Sequence, residues 1–484
     1  MRSLMPLLHV LSLVILIFGL TMLVPVAISW LLHDGAEGAF DEAILLTLAV
    51  GALLAIATRR SKRDLRIRDG FLLVVLVWTV LPVFAALPLM IQLDVSFTDA
   101  YFETVSGLTT TGASVLVGLD GLPVSINFWR TQLVWLGGMG LIVLAVAVLP
   151  LLGIGGRQMF QAETPGPMKD SKMTPRIAET AKGLWGVYAG LTLCCALAYR
   201  WAGMDWLDAV MHTFSTVGLG GFSSHDAGFG YFDSVAIESV SIVFMLISGM
   251  NFATHFTALS GRSIRPYQVD PEAGWYLAVT IGSVVGIAVF LMVHQVYPEF
   301  STALRYSAFH VISVATTTGF TTVDYVQWPM FAPLWMLFLC SFVTSAGSTG
   351  GGIKMIRAIL LYKLVNRELV RAIHPNAVYQ VKVGSHVVPV NILFAVLAFG
   401  FVYVACIVSM TLLLSLSGLD IVTAFSAVVG SINNSGTGLG QIGAAAAFAF
   451  LNDFQTWVCT FAMLLGRLEI FTLLVVLTPA FWRK

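Results

Sequence analysis

The stretch STVGLGG, residues 215–221, decides the reading of this chain. Gly218, Gly220 and Gly221 fall within four positions, a density that suits neither a helix nor a strand. Ser215 and Thr216 lead into them, and long apolar segments flank the stretch on both sides. A hydroxyl-led glycine loop between apolar runs has to be explained by what surrounds it.

The surroundings are those of a membrane. Hydrophobic residues make up 57% of the chain and charged residues 11%, against about a quarter charged in a soluble globular protein. Leu7 to Trp30, Phe71 to Ile91 and Val388 to Leu416 are each long enough to span a bilayer, which takes about 20 mainly apolar residues. The first run exceeds the roughly 7–15-residue core of a secretory signal and reads as a retained span. The cysteines at 194, 195, 340, 406 and 459 all lie in apolar runs without metal-ligand spacing, as small buried hydrophobes do. The sequence has no Walker motif, G-x-S-x-G or HExxH. An enzyme is therefore disfavoured, and nucleotide regulation would have to come from another chain.

Charge sets the topology. Lys+Arg and Asp+Glu balance at 26 each, but the basic residues cluster at Arg2, 59–68, 157–182, 262–265, 354–382 and the C-terminus. By the positive-inside rule these segments, and both termini, are cytoplasmic. Only Arg130, Arg200, Arg305 and Arg467 fall elsewhere. The opposite connections carry acids, among them Asp34, Glu103, Asp120, Asp208, Asp226, Asp233, Asp324 and Asp420. Such a face either concentrates cations at a pore mouth or is a scatter of solvated acids.

After two N-terminal spans (about 7–31 and 41–58) a unit recurs: apolar span, short amphipathic stretch, glycine loop, apolar span. The middle stretches are DAYFETVSGLTTTGAS (99–114), DAVMHTFSTVGLGGFS (208–223), YSAFHVISVATTTGFT (306–321) and DIVTAFSAVVGSINNSGTGLG (420–440). Aligned on Gly112, Gly218, Gly319 and Gly436, they recur at steps of 106, 101 and 117 residues. A repeat of this kind sets the architecture. The segment boundaries are a hairpin over 1–69 and repeats over 70–156, 157–265, 266–383 and 384–484. About ten apolar residues before each glycine are too few to cross, so each middle segment enters and leaves from outside as a half-helix. Irregular backbone at membrane depth has to be buried or line water. The expected fold is an all-α polytopic membrane protein, with two N-terminal spans and four parallel helix–pore loop–helix repeats around a central pore.

A dehydrating filter needs backbone carbonyls aimed at an ion, as in the TVGYG loops of K⁺ channels. Thr216-Val217-Gly218-Leu219-Gly220 differs from that string at one position. The pore-helix C-termini would also direct negative dipole ends at a cation. At these residues the chain resembles the Trk/Ktr/HKT superfamily of potassium transporters, and its N-terminal hairpin resembles the TrkH-type membrane subunits. The resemblance implies a filter with one glycine per loop. Its K⁺-binding set would be Thr110, Thr111 and Gly112; Thr216, Val217 and Gly218; Thr317, Thr318 and Gly319; and Asn434, Ser435 and Gly436. Relatives that admit Na⁺ often have Ser at the first glycine, so Gly112 favours K⁺, with Na⁺ a weaker competitor.

Two features lie off the filter. SAGSTGGGIK (345–354) places Gly347, Gly350, Gly351 and Gly352 around Ser348 and Thr349 within the second span of the third repeat. Read alone, it is a kink or a close helix contact; the resemblance makes it an intramembrane gate loop. Arg467 lies deep in the last span, where a charge is costly and marks function by default. Pairing with Glu469 is poor, because positions i and i+2 diverge on a helix. The resemblance places Arg467 below the filter as an electrostatic barrier.

The resulting reading is a gated potassium uptake pore, without a covalent cofactor, in the bacterial inner membrane. The alternatives are a K⁺ symporter with H⁺ or Na⁺ working by alternating access, and the potassium-translocating subunit of a P-type pump. The parallel units and the scarcity of mid-span acids favour a conduit. The resemblance implies a homodimer and a cytosolic ring of NAD- or ATP-binding subunits on the basic face. No nucleic-acid partner is expected.

Overall fold

The structure is a computed structural model and describes residues 4–60, 67–143, 173–384, 386–443 and 447–483. The basic stretch 61–66, most of the 157–182 cluster, the junction of the first two repeats at 156/157 and the tail of the expected 126–152 span lie outside these residues.

The chain is mostly helical. The N-terminal hairpin is α1 (Met5–Thr21) and α2 (Leu23–Leu32), which together make one span, and α3 (Glu37–Thr58). The first unit is α4 (Ile67–Leu93), α5 (Phe97–Leu108) and α6 (Val124–Val143). The second is α7 (Met173–Ala202), α8 (Trp206–Gly218), α9 (Val235–Ser248) and α10 (Phe252–Gly261), followed by the short α11 (Arg265–Val269). The third is α12 (Ala273–Val293), α13 (Phe300–Ala315), α14 (Phe331–Leu339) and α15 (Met355–Ile373). A two-residue β-ladder, Lys382–Val383 with His386–Val387, leads to the fourth unit. That unit is α16 (Val390–Leu416), α17 (Ile421–Ile432), α18 (Asp453–Arg467), α19 (Phe471–Leu477) and α20 (Pro479–Trp482).

Among the described residues, six helices are long and apolar enough to cross a membrane, or up to eight if each bent pair is one span. Large apolar side chains such as Ile17, Leu45, Trp201 and Phe401 are exposed around the periphery, as lipid-facing positions are. The chain is an integral membrane protein. Three expected spans are broken. The second span of unit two bends by 93° between α9 and α10, and the last span bends by 113° between α18 and α19. In unit three, residues 340–354 are non-helical between α14 and α15.

α5, α8, α13 and α17 are the short helices that the sequence reads as re-entrant. Ser96, Asp205 and Asp420 cap three of them, accepting from the backbone N–H groups of Asp99, Leu207 and Thr423, which satisfies donors the helix cannot. Each packs between the spans of its own unit: α5 against α4 and α6, α8 against α7 and α9, α13 against α12 and α14, and α17 against α16 and α18. Contacts between units run in one direction. α6 meets α8, α9 meets α13, α14 meets α17, and α18 returns to α5. The four units therefore close into a ring in chain order. Pro82 and Pro88 lie within α4, and neighbouring side chains reach its carbonyls. Tyr101 donates to Thr79 O at 2.9 Å and Trp129 Nε1 to Ala85 O at 3.0 Å, each one residue past the carbonyl that a proline leaves without its helical donor.

Candidate functional site

Each re-entrant helix ends the same way. One residue turns left-handed, one follows, and a glycine with positive φ closes the turn. The left-handed residues are Thr110 (56°), Leu219 (55°), Thr317 (61°) and Asn434 (53°). The glycines are Gly112 (76°), Gly221 (57°), Gly319 (88°) and Gly436 (61°). The residue between them donates back five positions: Thr111 N to Ser106 O at 2.8 Å, Gly220 N to Ser215 O at 3.0 Å, Thr318 N to Ser313 O at 2.8 Å and Ser435 N to Gly430 O at 2.9 Å.

This geometry corrects the alignment of the second loop. Gly221, not Gly218, matches Gly112, Gly319 and Gly436. Thr216, Val217 and Gly218 are the last turn of α8. The Thr216 hydroxyl donates to His212 O at 2.6 Å and meets the Tyr199 hydroxyl at 2.7 Å, so it is engaged within the scaffold. The likeness to TVGYG therefore falls on a helix end. The cause is length: α8 runs to Gly218, so the left-handed exit comes three residues later than the string suggests.

The glycines and the carbonyls before them interlock. A β-carbon on Gly112 would collide with Gly220 O, on Gly221 with Thr318 O, on Gly319 with Ser435 O, and on Gly436 with Thr111 O. Each loop lacks a side chain where its neighbour's carbonyl arrives, and the fourth closes on the first. A cavity of about 200 Å³ borders the ring, lined by all four glycines together with Arg130, Ser223 and His225. Thr110 Oγ1 and Asn434 Oδ1, at the left-handed positions, are buried without a hydrogen-bond partner in the described structure.

The broken segment of unit three lies against the C-terminal ends of the re-entrant helices. Thr349 Oγ1 donates to Val217 O at 3.0 Å and Gly351 N to Thr317 Oγ1 at 2.8 Å. A β-carbon on Gly350 would crowd Thr316 O, and one on Gly351 would collide with Asn433 O. Gly347 (74°) and Gly352 (79°) bracket the loop with positive φ. Cations hold its carbonyls. Lys354 Nζ donates to Gly350 O, and Arg467 Nη1 to Thr349 O at 3.0 Å. The other arm of Arg467, Nη2, donates to Gly137 O of α6 at 3.0 Å, and its guanidinium lies over Trp78. Glu469 pairs instead with Arg357 at 2.5 Å. Arg467 thus has no carboxylate partner among the described residues, and it ends α18 at a break rather than lying inside a continuous helix.

The four glycine loops thus interlock in a ring, underlain by a glycine segment in a broken span. Residues 37–484 match the TrkH family model, described as cation transport protein. The chain belongs to the TrkH family. It is 48% identical over 480 residues to the Trk system potassium uptake protein TrkH of Salmonella typhimurium, covering 98% of this chain and 99% of that protein. The Halomonas elongata protein of the same name is 49% identical over 485 residues and covers both chains fully. The crystal structure of the potassium transporter TrkH from Vibrio parahaemolyticus superposes with a TM-score of 0.92 at 45% identity, covering 99% of each chain.

In this TrkH-family chain, sequence reasoning passed over buried charges. Glu103, counted as an outer acid, is fully buried against Arg130 at 2.8 Å. Arg305 meets Glu238 at 2.7 Å and Asp233 at 3.2 Å. Glu272 accepts from the N–H groups of Ala346 at 3.0 Å and Ile356 at 2.9 Å, joining the two ends of the broken segment. His225 lies between Asp120 (2.5 Å) and Asp208 (3.2 Å) and stacks on Tyr231 at 3.5 Å. Burial alone would lower the His225 pKa, but hydrogen bonds to Asp208 and Asp120 raise it above the ordinary imidazole value. Several acids that the sequence reading assigned to the outer face are thus engaged in structure. The one signal for Arg130 and Arg305 was their position away from the cytoplasmic basic clusters.

Proposed function

We propose that this protein carries K⁺ into the cell through the ring of four loops, and that residues 347–352 gate the passage from below. The observation that carries the reading is the cyclic interlock of Gly112, Gly221, Gly319 and Gly436 with the carbonyls of Gly220, Thr318, Ser435 and Thr111. Such a ring replaces water around a bare cation with fixed carbonyl dipoles. Helix C-termini on its inner side add negative potential. Thr110, Thr111, Thr317, Thr318, Asn434 and Ser435 complete the ion path in this reading, and Gly220 and Gly221 take the places first given to Thr216, Val217 and Gly218. The names of the relatives supply the ion: they are potassium uptake proteins.

Loop 345–354 blocks flux while Lys354 and Arg467 hold its carbonyls, and Arg467 adds a positive charge under the ring. Family resemblance supports a homodimer with one pore per protomer, a cytosolic nucleotide-binding ring as regulator, and residence in the bacterial inner membrane with both termini cytoplasmic. The basic cytoplasmic segments agree with that orientation. The test is single-channel recording of the purified protein in planar lipid bilayers. Ohmic K⁺ current without a gradient of any other ion supports the conduit. Flux that requires an H⁺ or Na⁺ gradient would replace it with coupled transport.

A further inference from the structure

We infer that Glu103 and Arg130 form a buried, charged strut that sets the ion selectivity of the ring, acting as positioning residues for loops one and two. The inference deepens the filter reading and rests on it. Glu103 lies on α5, nine residues before Gly112. Its carboxylate accepts from Val115 N at 3.0 Å and from Ser114 Oγ at 3.0 Å, on the limb that leaves the glycine. Arg130 Nε donates to the same carboxylate at 2.8 Å, and Nη2 donates to Ser114 Oγ at 3.2 Å. Arg130 then crosses to the second loop: Nη1 donates to Ser223 O at 3.2 Å, and the guanidinium lies over the Phe222 ring at 4.4 Å.

The other loops carry struts without a carboxylate at the corresponding place. His212, nine residues before Gly221, meets Ser223 Oγ through Nε2 at 2.9 Å. His310, nine before Gly319, accepts from Thr322 N at 3.3 Å and Val323 N at 3.4 Å. Ser426, ten before Gly436, accepts from Leu439 N at 2.9 Å. Every ascending limb is therefore tied to its own re-entrant helix, and the tie in loop one is an ion pair that also reaches loop two. A buried pair is costly to break because removing one partner strands the other charge. The four loops interlock, so slack in loop one changes the carbonyl positions around the ring, and those positions set ion preference.

The test measures the K⁺/Na⁺ permeability ratio from reversal potentials in planar bilayers, alongside detergent size-exclusion profiles. Glu103→Gln keeps the shape and removes the charge. The ratio should fall about tenfold, which corresponds to about 1.4 kcal/mol of differential ion stabilisation. Ser114→Ala removes only the shared hydroxyl and should lower the ratio less. The double variant Glu103→Gln/Arg130→Gln leaves no stranded charge, and it should fold and still lose selectivity. Gly112→Ser is the control for the filter itself. If Gly112→Ser shifts the ratio while well-folded Glu103→Gln and the double variant do not, the strut is refuted and the filter stands. If none of them shifts it, the filter reading fails. Should Glu103→Gln aggregate, an unchanged ratio in the double variant and in Ser114→Ala overturns the proposal.

Discussion

Gly218 and Gly221 lie three residues apart and have different work to do. Gly221 holds a positive φ and faces Thr318 O across a loop boundary. Gly218 ends α8 and faces Val134 of α6. Gly221→Ser should therefore reduce K⁺ preference over Na⁺ in uptake assays with cells lacking other K⁺ systems. Gly218→Ser should instead lower the yield of folded protein and leave the ratio unchanged. The reverse outcome would restore the register read from the sequence alone. Arg467 makes a second case. Its two arms donate to carbonyls, and Glu469 keeps Arg357 when Arg467 is removed. Arg467→Ala therefore strands no carboxylate, and the protein should remain monodisperse in detergent. A cation ~8 Å away at an effective dielectric of ~20 is repelled by about 2 kcal/mol. Basal K⁺ flux should rise on the order of tenfold or more once that charge and its hold on Thr349 are gone. Unchanged flux in a well-folded variant would remove the barrier.

At the scale of elements, the broken segment seats under the ring because its glycines have no side chains. Gly351 touches Asn433 O at the end of α17, and its N–H bonds Thr317 Oγ1. Gly351→Ala cannot seat in the same place. Basal flux should rise while the K⁺/Na⁺ ratio stays at the wild-type value, measured in the same bilayer recordings. A shifted ratio with normal flux would move the segment from the gate to the filter. The break was legible in the sequence because four glycines in six residues oppose a helix. The break after Arg467 was not. No glycine or proline stands at Leu468–Ile470, yet Glu469 and Ile470 both have positive φ. Glu469 turns out there to meet Arg357, a residue 112 positions away. Sequence spacing carries no trace of such a partner.

Across the whole molecule, the outer loops of units one and two are locked by His225 against Asp120, with Asp208 at the start of α8 on the other ring nitrogen. Asp226 N also donates to Asp120 at 3.2 Å, Asp226 in turn accepts from Gly118 N at 2.9 Å, and His212 stacks near His225. The folded pKa of His225 is raised, so its contribution is complete below the free-imidazole value of about 6.5 and is lost as pH climbs through the folded value. The Asp120 pKa is lowered, chiefly by its hydrogen bond to His225. Its contribution is complete above about 3.9 and is lost as pH falls through the folded value. The lock is therefore strongest from mild acid to near neutrality. Thermal midpoints in detergent should decline on the alkaline side of neutrality, and His225→Gln should flatten that decline. A variant that loses stability with pH as the wild type does would assign the dependence to other groups.

Composition, taken as sequence, determined the membrane, the fourfold recurrence and the glycine-loop character of the site. These are local properties: hydropathy, charge and backbone permissiveness are written residue by residue. Only the tertiary structure decided which glycine of loop two belongs to the ring, where Glu469 finds its partner, and that Glu103 and Arg130 are buried together. Those outcomes depend on where a helix stops and on which distant groups meet, and both follow from packing among four units rather than from any one stretch of chain.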